Sequence, residues 1–199
     1  MILNHLASQG LRSWWVREPT RTPSEARQRY IRFLQLPLSC LSRAIWVVGD
    51  SPDRGGDSSL TTSEDSVRLR RQGQRPLFLE ASQRFELVPD HRFEGEWKSK
   101  TLAYIYAIRD SHASGDEAEV ISWHWHPLTT PQRPDPHVHV RADHPSLPGT
   151  RSLHIPSGRV AFEEVAYFLI SDLGCTPARA DWNDILQDTL TRFRTYRTW

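Results

Sequence analysis

Two cysteines, one methionine and two lysines are all that the 199 residues hold of those types, and each shortage closes off a class of chemistry. Cys40 and Cys175 stand alone, with no CxxC spacing, so neither a disulfide framework nor a thiolate zinc site can be assembled; isolated thiols in a reducing compartment are expected. Lysine is confined to Lys98 and Lys100, which leaves arginine, the better bidentate partner of phosphate, at every other basic position. Net charge is only +1, so bulk attraction to nucleic acid is excluded and any such contact must come from a local patch. Apolar stretches such as "AIWVV" and "AYFLI" fall far short of the roughly 20 residues that cross a bilayer. The first residues carry no uninterrupted apolar segment of a secretion signal, so a cytoplasmic location and no membrane partner are expected. A glycine-rich phosphate loop, a serine nucleophile elbow and the HExxH zinc-protease motif are all missing.

What remains is a chain with 38% hydrophobic and 25% charged residues, enough to bury one ordinary core. Residues 1–62 are rich in Pro, Gly, Ser, Arg and Asp, as in "EPTRTPSEARQR" and "GDSPDRGGDSS". Pro37 punctuates Leu34, Leu36 and Leu38, which argues against a continuous helix there and leaves one expected over 23–34. The segment 1–62 therefore reads as a poorly ordered or partly helical extension, and 63–199 as a single domain.

Within that domain Leu77, Leu79, Ala81, Phe85 and Leu87 alternate with polar residues, the period of a half-buried strand. "TLAYIYAIRD" is apolar on both parities, as a central strand would be. "EVISWHWHP", "HVHVRA" and "SLHI" complete about five strands. Two helices close the chain: one in "SGRVAFEEVAYFLISDLG", with Ser157 and Gly174 as caps and Glu163 and Glu164 complementing its N-terminal end, and one in "DWNDILQDTLTRFRTY", with Asp181 as N-cap. Strands followed by helices predict an α+β fold, an antiparallel sheet with two C-terminal helices packed on one face, plus the N-terminal extension. Two further features read as ordinary structure. The basic run "RLRRQGQR" at 68–75 is expected to be a solvated helix end, and Trp14, Trp15, Trp46, Trp97 and Trp199 are expected to serve packing.

The chemistry is concentrated in "ISWHWHP" and "PHVHV". Alternate strand residues point to opposite faces, so Ile121, Trp123 and Trp125 share one side and Ser122, His124 and His126 the other. Val138 and Val140 belong to the apolar side, with His137, His139 and Arg141 opposed to it. Leu153 and Ile155 point inward by the same rule, and His154 outward. Neighbouring strands lie roughly 4.8 Å apart, so adjacent strands would let these imidazoles share a ligand, and mutual repulsion should keep some of them neutral near pH 7.

Three readings stay open. Histidine could merely decorate a half-exposed sheet. Alternatively His124, His126, His137, His139 and His154 could hold zinc, iron or nickel. The third reading needs no cofactor: His124, His126, His137 and His139 act as acid and base in ribonuclease-type phosphodiester chemistry, with Arg141 at the transition state and Arg151 and Arg159 holding phosphate. "HVHVR" approaches the histidine triad of nucleotide hydrolases, but Arg141 takes the place of its third histidine, and no cupin-type glutamate follows either HxH.

The succession "LAYIYAIRD", "WHWHP", "PDPHVHV", "LHIPSGRVAFEEVAYFLI" resembles uncharacterised bacterial proteins and, more distantly, the TumE-like toxin family of toxin–antitoxin pairs, over roughly residues 77–173. The resemblance implies a small bacterial toxin-like protein paired with a helix-turn-helix antitoxin. Ribonuclease activity on RNA is then the leading expectation, and a noncatalytic interaction protein of such a pair, or a metal-dependent enzyme, the alternatives.

Overall fold

The computed structural model describes residues 19–50, 57–112, 118–127, 135–141 and 155–196. Thr22 opens the first helix, α1 (Pro23–Leu41), with a capping box: its Oγ1 accepts from the Glu25 amide at 3.2 Å, and Glu25 Oε2 accepts from the Thr22 amide at 3.1 Å. The helix does not stop at 34 as expected but runs through Pro37. A proline inside a helix removes one hydrogen bond and crowds the preceding turn, together costing about 3 kcal/mol. Burying a leucine returns about 1.5–3 kcal/mol each, and Leu34, Leu38 and Leu41 are all buried on the same side as Pro37, so packing outweighs the break.

Eight strands follow among the described residues, against about five expected: β1 (Trp46–Asp50), β2 (Ser58–Thr62), β3 (Val67–Leu69), β4 (Leu77–Pro89), β5 (Trp97–Arg109), β6 (Glu119–Trp125), β7 (His137–Val140) and β8 (Ile155–Pro156). They form one antiparallel sheet in the order β1-β2-β4-β5-β6-β7-β8, with β3 pairing with β4 beside β2. The sheet thus starts at Trp46, and no boundary separates an extension ending at 62 from a domain beginning at 63; β2 is hydrogen-bonded to β4 across it. The basic run is also not a helix end, since Arg68 lies in β3 and Arg71 bridges to Cys175.

Two helices close the chain as expected, α2 (Phe162–Ser171) and α3 (Trp182–Tyr196). The cap of α2 is Ala161, not Ser157, and Glu164 Oε2 accepts from the Ala161 amide at 2.9 Å. Gly174, at φ +67°, lets the chain turn so that the Cys175 amide reaches the Leu169 carbonyl at 2.9 Å. Helices α1 and α2 pack on one sheet face: Phe162 meets Trp46 and Tyr106 edge-on or tilted, with ring centroids 5.2 and 5.4 Å apart. Helix α3 adds Ile185 and Leu186 to the same core from outside them. A buried polar chain ties helix to sheet. The Tyr30 hydroxyl donates to Gln83 and meets Thr101 at 3.0 Å, while the Gln83 amide donates to Tyr106.

That core uses one parity of the central strands, Leu79, Ala81 and Phe85 of β4 with Tyr104, Tyr106 and Ile108 of β5. The other parity carries Glu80, Ser82, Arg84, Ala103 and Ile105, and among the described residues no helix covers it.

Candidate metal centre

Strand β6 is fixed by its tryptophans. Trp123 packs edge-on against Phe168 of α2 at 5.6 Å and Trp125 against Tyr104 at 6.0 Å, both on the helix side. A slip of one residue would move both indoles off the helix side, so the register is strongly held, and the alternate residues His124 and His126 must face away from the helices. In β7 the pairs Trp123↔Val138 and His124↔His137 extend the same partition, so the expected convergence is present. Ring centroids of His124 lie 5.8 Å from His126, 5.6 Å from His137 and 4.8 Å from His139. His137 lies 5.4 Å from His126 and 5.1 Å from His139.

Ring nitrogens of His124, His126 and His137 all fall within 4.8 Å of one another. A tetrahedral ion bound at about 2.0–2.1 Å needs its nitrogens about 3.4 Å apart, so ring nitrogens that stand up to 4.8 Å apart would draw in on binding one. The decisive contact belongs to His137, which is buried at 4% exposure. Its Nδ1 lies 3.0 Å from the Asp135 carbonyl oxygen. A carbonyl only accepts, so Nδ1 carries the proton, and in the neutral form of the ring the lone pair is on Nε2. This is the outer-shell arrangement that orients a metal-bound imidazole. No carboxylate belongs to the set, so a bound ion would keep its full positive charge.

The expected arginines are placed elsewhere. Arg141 is bound to Asp110 at 3.2 Å, near the β5–β6 turn. Arg159 stacks over Trp125, its Cζ 3.7 Å from the ring, and so lies on the helix side, across the sheet from the imidazoles. Arg151 and His154 lie outside the described residues, as do Trp14, Trp15 and Trp199. Trp46 is packing, as expected, with its indole donating to the Leu34 carbonyl at 3.0 Å. Burial pushes the thiols of Cys40 and Cys175 up to about 11, so neither is a thiolate nucleophile at neutral pH.

Sequence reasoning missed two features. Glu163, expected at the exposed start of its helix, is 1% exposed, and burial, with the charge of Glu164 adding to it, pushes its carboxyl up to about 7. A cavity of about 330 Å³ opens on the histidine side next to His126, lined by Ser59, Ser82, Arg84, Ala103 and Ile105. Another, of about 370 Å³ between Trp123 and Phe168, holds none of the imidazoles. Comparison of the chain with protein-family models, curated proteins and solved structures finds no match.

Proposed function

We propose that this protein is a metal-dependent hydrolase whose centre is a divalent transition ion held by His124, His126 and His137. The observation that carries the reading is the gathering of ring nitrogens of His124, His126 and His137 within 4.8 Å of one another, with the His137 ring oriented by its Nδ1 contact to the Asp135 carbonyl. Three histidines and an open position are the ligand set of a catalytic site, whereas structural sites close all four positions. An ion there would act as a Lewis acid and bring the proton of a coordinated water within reach of neutral pH. His139, 4.8 Å from His124 and 5.1 Å from His137 between ring centroids, stands where it can take that proton and return it to the leaving group.

The test is a calorimetric titration of metal-stripped, untagged protein with zinc. One equivalent should bind, and His137→Ala should weaken binding at least tenfold with the fold intact by circular dichroism. A wild-type protein that binds no zinc, nickel or cobalt at micromolar concentration overturns the reading.

A metal-free reading rests on a fourth ring: His139 completes a set in which one neutral and one charged imidazole could serve ribonuclease chemistry. RNA, whose ribose hydroxyl such chemistry requires, is the first substrate to try. Cleavage that survives chelators and rises and falls with pH would favour this alternative, and cleavage restored only by added metal would favour the first.

A further inference from the structure

The cavity beside His126 has the construction of a substrate slot, and we propose that it takes a small organic anion whose carboxylate or phosphate is held by Arg84 while its reacting group lies at the histidine centre. The inference rests on the metal-centre reading above and adds the class of molecule it acts on.

Register builds the slot. Ser59 pairs with Gly49 on one side and with Arg84 on the other, and Arg84 pairs with Ala103. Ala103 stands one step past the Tyr104–Trp125 pair, beside His126. One row across the face away from the helices therefore reads Gly49, Ser59, Arg84, Ala103, His126. Ala103, between the two long side chains, is short, so the row dips where it passes Ala103. Arg84 and His126 flank that dip two strand spacings apart, about 10 Å between backbones. The floor is the backbone of Gln83 and Tyr104, whose side chains belong to the helix side, where Gln83 bonds Tyr106 and the Tyr104 hydroxyl accepts from the Val160 amide at 2.8 Å. Ile105 supplies an apolar wall and Ser82 a hydroxyl. At about 330 Å³ the space lies at the lower end of the range for small-molecule sites, about 300–1,000 Å³.

Arg84 is suited to the anion because it is already oriented. Its Nη2 donates to Asp57 at 2.8 Å, and Asp57 is only 12% exposed, so the guanidinium is anchored at one corner. A guanidinium has five N–H donors in a planar fork, and one bond to Asp57 leaves donors for a planar oxyanion. The ion at the other end would draw the electrophilic group of the same molecule. Selectivity for an anion of that length follows from the fixed separation of the two anchors.

The experiment compares two metal-chelating probes, benzohydroxamate and 4-carboxybenzohydroxamate, binding to the zinc-loaded protein by calorimetry. The hydroxamate of each tests the centre; the carboxylate across the ring of the second tests the slot. The carboxylated probe should bind about tenfold more tightly, the worth of one charged hydrogen-bonded contact. Arg84→Ala should remove that advantage while leaving zinc binding and benzohydroxamate affinity unchanged. Ala103→Leu, which fills the slot without touching the Asp57 pair, should lose the advantage as well. Equal affinity of the two probes for the wild-type protein, or an advantage that persists in Arg84→Ala, overturns the slot and leaves the metal centre standing. A protein that binds zinc and neither probe overturns the open coordination position, and one that binds no zinc overturns the centre itself.

Discussion

Glu163 is the residue whose chemistry runs furthest from its sequence. An acidic pair at a helix start reads as dipole complement, and Glu164 fills that role, its carboxylate on the Ala161 amide. Glu163, one position earlier, points into the core, and its Oε1 is buried with no hydrogen-bond partner among the described residues. The energetic sign follows from burial. Below about pH 4.5 the carboxyl is neutral in both the folded and the unfolded chain. Between 4.5 and about 7 the unfolded chain ionises while the folded one stays protonated, so stability falls as pH rises through that window. Above it the loss is complete, on the order of 3 kcal/mol. Glu163→Gln should flatten this slope: in urea unfolding, the variant should gain on the wild type between pH 4.5 and pH 8. An unchanged slope would place the pH dependence elsewhere. The alternation of histidine with tryptophan, by contrast, was legible at once, because a period of two leaves no choice of face once both indoles are inside. The Arg84–Ala103–His126 row was not, since it depends on the register of strands far apart in the chain, which no local pattern encodes.

At the scale of elements, the long strands and the two C-terminal helices announce themselves by periodicity, and the short ones do not. Strands β1 and β2 have five residues each, and Gly49, Asp50 and the Ser58–Ser59 pair look like loop composition. They become strands because β4 offers a paired edge, a tertiary cause. Helix α1 shows the same override, since Pro37 marks a break by every local rule, and the apolar face it shares with Leu34, Leu38 and Leu41 carries the helix across it. If that burial is what holds α1, Leu38→Ala should lower the unfolding free energy by about 2–5 kcal/mol, whereas Arg32→Ala on the exposed side should change it by less than about 0.5 kcal/mol. Equal effects of the two substitutions would show that the helix is held by something other than its buried face.

The described residues form one sheet with its helices on a single side, and the consequence for the N-terminal third is direct. Leu34, Leu38, Trp46 and Leu60 share the core with Phe162 and Leu169, so the first 62 residues cannot be removed as an appendage. A fragment covering 63–199 should fail to fold, with no cooperative thermal transition by circular dichroism; a fragment that melts cooperatively would restore the boundary that composition suggests.

Histidine and tryptophan interleaved along β6 have a final consequence for how such a protein can change over generations. Because neighbouring positions answer to different demands, the exterior set can be rewritten, one donor type exchanged for another, while the interior set goes on specifying the same shape. Novel reactivity is reachable on this plate by point substitutions that leave the architecture's own instructions untouched.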